Sequence, residues 1–152
     1  MKFTSILTSF ALIAVLAIST TVHAAASAED AIKYRKLSME SMAANYGILM
    51  MLLFDKVDAK DSAQGHADAV AHAASALDTM FPENSREGDT DSLPAIWKNA
   101  DAFAKTVSKA QQAANDLQAA VASGDRKATL SAAAAVGKSC KGCHESYRAE
   151  DD

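Results

Sequence analysis

From Ser27 onward, apolar residues recur at alternating intervals of four and three, and this spacing restricts the chain to helices packed against one another. The first stretch, about Ser27 to Asp55, aligns Ile32, Arg35, Met39, Met42, Tyr46, Leu49 and Leu53 on one face. Ser27 with Asp30 three residues later resembles a capping box. The second stretch, about Ser62 to Met80, aligns Ala63, His66, Val70, Ala73, Leu77 and Met80. The third starts near Ser92, with Pro94 in its first turn, where a missing N–H costs nothing. Ile96, Ala100, Phe103, Val107, Ala110, Ala114, Leu117 and Val121 form its stripe, and Gly124 closes it as a C-cap. The fourth runs from about Arg126 to Tyr147. A loop rich in turn residues, Phe81 to Asp89, separates the second stretch from the third.

Breakers are scarce, 6 Gly and 2 Pro in 152 residues, and no alternating β-branched run reads as a strand. Two of the three connections are short, so the expected fold is all-α: an up-down-up-down antiparallel four-helix bundle. Hydrophobic residues make up 49% of the chain but aromatic residues only 6%. The abundant alanines bury little area each, which leaves room in the core for a large flat cofactor. A formal net charge of −4, with Lys and Arg scattered along the sequence, argues against a nucleic-acid partner.

Residues 1–24 read as an export signal. Lys2 provides the positive start, Ile6 to Ile18 an apolar run interrupted only by Thr8 and Ser9, and Val22-His23-Ala24 a small-residue cleavage site. The alternative is an uncleaved anchor, but the run is short for a membrane span. Cleavage would leave residues 25–152 as one domain, change the formal charge from −4 to −5 by removing Lys2, and deliver a protein that does not span the membrane to the periplasm.

Cys140-Lys141-Gly142-Cys143-His144 carries the chemistry. C-x-x-C-H is the signature of covalent haem attachment. On a helix, positions i, i+3 and i+4 share a face, so both thiols reach the vinyl groups of one porphyrin while His144 sits beneath the iron. These are the only 2 cysteines in the chain. A thioredoxin-type C-x-x-C expects a βαβ context, and a zinc site needs about four ligands, for which His66 and His72 would have to converge from another helix. His66, at an inward position, is better read as a hydrogen-bonded core or interface histidine, and Trp97 and Phe103 as core or haem-packing aromatics.

A C-x-x-C-H near the end of a four-helix pattern resembles the class II cytochromes c, the cytochrome c prime family. Residues 31–36, Ala-Ile-Lys-Tyr-Arg-Lys, are similar to that family's helix-one motif, and residues 93–97, Leu-Pro-Ala-Ile-Trp, to the start of its third helix. Residues 136–148 are similar to its haem segment, so the likeness spans essentially the whole chain after the export signal. The resemblance implies that Arg35 contacts a haem propionate, which suits an inward-facing charge in need of a partner; the alternative is a solvated arginine near the helix terminus. It sets Lys36 beside that contact, with a solvated lysine as the alternative. It also implies that Met39 faces the iron on the distal side, either as sixth ligand in a low-spin protein or as a non-bonding residue over five-coordinate iron. The alternative for Met39 is an ordinary core methionine.

Two functions follow from these expectations. One is a periplasmic electron carrier, in which His144 and Met39 both bind the iron of one covalent haem c and a periplasmic redox protein is the partner. The other is a protein that binds nitric oxide or carbon monoxide at five-coordinate iron. Catalysis is not expected, because the first segment offers no distal His/Arg pair for peroxide cleavage. Homodimers are common in the family, and alanine-rich outer faces on the first two segments would permit one.

Overall fold

The Ser27 hydroxyl accepts a hydrogen bond from Asp30 N–H at 3.1 Å and starts the first helix. In the computed structural model, which describes residues 26–150, this helix runs Ala28–Leu53 (α1). Residues 1–24, read above as an export signal, lie outside the described residues. Four more α-helices follow among the described residues: α2 (Ala63–Ser75), α3 (Ala95–Lys98), α4 (Ala100–Ser123) and α5 (Arg126–Tyr147). Gly124 ends α4 in the left-handed conformation at φ 70°, as a C-cap glycine does. Asp125 then caps α5 by accepting from Lys127 N–H and Ala128 N–H.

The second and third segments differ from the spacing-based expectation. The second is α-helical only to Ser75 and tightens into a 3-10 turn, Leu77–Thr79, which still buries Leu77 and Met80. The third is interrupted at Asn99 (φ −123°, ψ 50°). The break resets the helical phase, so Ile96 and Phe103 are buried while Ala100 is exposed. Within α2, small residues off the expected stripe do much of the packing: Ala67, Ala71 and Ala74 are buried beside Val70.

Around the bundle, α1 packs on α2, α2 on α4 and α4 on α5, while α1 and α5 touch sparsely. They meet toward the end where α1 finishes. Arg126 Nη2 donates to the Leu53 carbonyl at 2.6 Å and pairs with Asp55 at 2.9 Å. Tyr46 Oη donates to the Ala133 carbonyl at 2.9 Å, and a Cβ on Gly137 would lie only 2.9 Å from that hydroxyl, so glycine permits the approach. At the opposite end the loop before α3 ties down the end of α5: Leu93 N–H donates to Tyr147 O at 2.9 Å, and Ala149 N–H to Asp91 O at 2.8 Å. Between these two ties α1 and α5 enclose a cavity.

One face of α1 stays outside. Tyr34, Leu37, Ile48 and Met51, with Phe54 after the helix, are large apolar residues left exposed. Among the described residues, no helix is long and apolar enough to cross a membrane.

Candidate haem site

The cavity between α1 and α5 measures about 430 Å³. Arg35, Lys36, Met39, Glu40 and Ala43 form its α1 wall, and Cys143, His144, Tyr147 and Arg148 its α5 wall. Phe81, Thr90, Asp91 and Ser92 close it from the loop, with Ile96 and Phe103 at its base. Phe103 lies edge-on between Phe81 and Tyr147, with ring centroids at 4.9 and 5.0 Å. These three rings give the cavity an apolar aromatic side.

On α5, Cys140 and Cys143 are half-buried and not bonded to each other. Burial pushes both thiols up from their ordinary range, and Cys140 adds to the effect on Cys143. Cys140 packs against the bundle core beside Tyr46, whose phenol is raised by burial and further by that thiol, against a smaller opposing effect from the backbone at Gly137. The His144 imidazole is pushed down by burial and by the nearby Arg148 charge, which favours the neutral form able to ligate a metal.

Arg35 is 4% exposed and reaches the loop rather than solvent. Nη1 donates to Met80 O at 3.0 Å and Ser85 Oγ at 2.9 Å, and Nη2 to Thr90 Oγ1 at 2.7 Å and Ser85 O at 3.3 Å. Its guanidinium also lies 5.0 Å from the Phe81 ring centroid. Burial lowers its pKa and the Asp91 charge opposes the shift. The inward charge therefore has partners within the protein, and the arginine lines the cavity as well. Lys36 likewise has a protein partner, Asp89 at 3.0 Å.

Met39 is half-buried in the α1 wall, across the cavity from the helix that carries His144. His66 lies elsewhere, its Nδ1 2.9 Å from Asn45 Oδ1 at the contact of α1 and α2, and His72 is exposed. Trp97 is half-buried and donates from Nε1 to Phe81 O at 3.1 Å, so it braces the loop, while Phe103 faces the cavity. Among the described residues, no three His, Cys, Asp or Glu side chains gather as a zinc site would require. Cys143 and His144 face a cavity with aromatic walls and guanidinium groups, while Cys140, one turn back on α5, packs against the bundle core outside that lining; a thiol pair and an imidazole so placed suit an iron porphyrin.

Sequence reasoning missed Ser85, Thr90 and the Met80 carbonyl, which hold Arg35. It also missed the contact of Tyr46 with Gly137. The one available signal was Gly137 itself, a glycine closing the alanine run just before the cysteines.

The family model described as Cytochrome C' matches residues 30–148. Cytochrome c' of Rhodospirillum rubrum is 33% identical over 143 residues, which cover 91% of this chain and 97% of that one. Among solved structures, cytochrome c' from Thermochromatium tepidum superposes with a TM-score of 0.77 at 31% identity, covering 84% of this chain and all (100%) of the other. A nitric oxide complex of a variant cytochrome c prime from Alcaligenes xylosoxidans does so with a TM-score of 0.77 at 26% identity, over 84% and 100% of the two chains. Both the sequence match, over nearly the whole helical bundle, and the fold agree with the donor set on α5: this chain belongs to the cytochrome c prime family and carries a covalently attached c-type haem.

Proposed function

We propose that the protein is a periplasmic mono-haem electron carrier. Cys140 and Cys143 would hold its haem by thioether links, and His144 and Met39 would ligate the iron. The observation that carries this reading is Met39 in the α1 wall, across the cavity from the helix bearing His144. Haem supplies a one-electron iron couple, and a thioether sixth ligand keeps it low-spin and raises its potential. Residues 1–24 are the export signal for this location, a periplasmic redox protein is the partner, and a second copy of the chain covers the exposed face of α1.

A second reading has its own support. The similar Alcaligenes xylosoxidans protein was solved as a nitric oxide complex, so Met39 in this chain would instead line a five-coordinate pocket for nitric oxide or carbon monoxide. One experiment separates the two. In the electron carrier, the oxidised protein shows the weak near-infrared band of sulfur–iron ligation, and Met39→Ala abolishes it and speeds carbon monoxide binding. A high-spin spectrum in the unaltered protein, insensitive to Met39→Ala, assigns the gas-binding role.

A further inference from the structure

The basic residues that look scattered in the sequence are gathered by the fold. Residues 26–91, which make α1, α2 and the loop, hold six Lys and Arg against twelve Asp and Glu. Residues 92–149, which make α3 to α5, hold eight against four, and the acidic residues Glu150, Asp151 and Asp152 follow them. Within this second half the excess sits at one end. α4 and α5 are antiparallel, and the Phe103–Tyr147 ring contact at 5.0 Å places the start of α4 beside the end of α5. Residues 98–109 and 138–148 together carry Lys98, Lys105, Lys109, Lys138, Lys141 and Arg148 against only Asp101 and Glu145, whereas residues 110–137 carry two of each sign.

All six cationic residues are exposed. Lys141 is 3.6 Å from Glu145. Among the described residues, Lys98, Lys105, Lys109 and Lys138 have no carboxylate within ion-pair distance. This end of the hairpin also holds Cys143, His144 and Tyr147, the α5 wall of the haem cavity. Acidic groups near the cavity, Glu40 and Asp91, belong to α1 and the loop. Past Arg148 the bond from Ala149 N–H to Asp91 O turns the chain toward that loop before Glu150.

We infer that the α4–α5 surface beside the haem cavity is the docking face for an acidic electron-transfer protein. The proposal rests on the electron-carrier reading above. A molecule of net negative charge repels an acidic partner at long range, but a local basic surface focuses the encounter onto the side where the electron leaves. The other half, with its excess of carboxylates, turns the partner away from wrong orientations.

The test is stopped-flow oxidation of the ferrous holoprotein by ferricyanide, in which the iron loses one electron and the reagent becomes ferrocyanide. If the basic face governs the encounter, the rate falls as ionic strength rises, and oxidation by cationic tris(phenanthroline)cobalt(III) speeds up. Lys105→Glu/Lys109→Glu/Lys138→Glu reverses both slopes and slows the low-salt reaction with ferricyanide by about tenfold. A rate that rises with salt for ferricyanide in the unaltered protein follows the overall charge and overturns the proposal.

A second readout needs no electron transfer. A decaglutamate peptide added to the ¹⁵N-labelled holoprotein should shift amides around Lys105, Lys109 and Lys138. Shifts produced only by phosphatidylglycerol vesicles would assign the face to a membrane surface instead and overturn the proposal. Low-spin iron with slopes that follow the overall charge defeats the docking face alone. High-spin iron with slopes set by the basic face defeats the electron-carrier reading alone.

Discussion

Arg35 carries two duties in one side chain. Its four hydrogen bonds fasten α1 to the loop that closes the cavity, and the same residue lines that cavity. Removing it strands buried acceptors, including the Met80 and Ser85 carbonyls. We therefore expect Arg35→Ala to cost about 2–4 kcal/mol in urea unfolding of the holoprotein. Lysine keeps the charge but has no planar fork to serve four acceptors, so Arg35→Lys should still cost about 1–3 kcal/mol. A propionate contact has a separate signature. Without the guanidinium, the bare carboxylate favours oxidised iron, and the reduction potential falls in Arg35→Ala. Lost stability with an unchanged potential would leave Arg35 as a loop anchor only. Helical spacing alone set Arg35 inward and Met39 one turn further along the same face. The acceptors of Arg35 were not legible, because they lie 45 to 55 residues away: Ser85 and Thr90 follow the second stretch where there is no periodicity to read, and spacing at Met80 says nothing of where its carbonyl points.

At the scale of the helix, α1 shows two stripes with the same spacing. The inward one, from Ile32 to Leu53, was readable because burial and period agree. The outward one runs Tyr34, Leu37, Ser41, Ala44, Ile48 and Met51, at intervals of three and four. Large residues flank a small-residue centre at Ser41 and Ala44, a profile that lets two helices cross closely there. About a two-fold axis, Tyr34 and Leu37 of one copy would meet Ile48 and Met51 of the other. The holoprotein should therefore sediment as a dimer. Leu37→Glu/Ile48→Glu should weaken association by at least about a hundredfold, as expected for burying unpaired carboxylates, and leave the haem spectrum unchanged. A monomeric unaltered protein would refute this. The interruption of the third segment was hidden for the opposite reason. Asn99 breaks the helix without glycine or proline at the break, and the apolar spacing continues across it as though the helix were whole.

For the molecule as a whole, the alanine-rich composition foretold an underfilled core, and the cavity between α1 and α5 is where the deficit lies. Its floor and walls come from four separate parts of the chain, so only the completed fold brings them together. Without haem, the apolar lining of that cleft, including Phe81, Phe103 and Tyr147, stays in contact with water. Cys140→Ser/Cys143→Ser, which cannot attach haem, should unfold at a much lower urea concentration than the holoprotein and be cut far faster by thermolysin. Equal midpoints and equal cleavage rates would contradict this. The gap between two helices thus acts as an inspection step on the finished product. If the haem-free chain is cut as expected, only chains that receive their prosthetic group persist, and the cell's supply of haem limits how much of the protein accumulates.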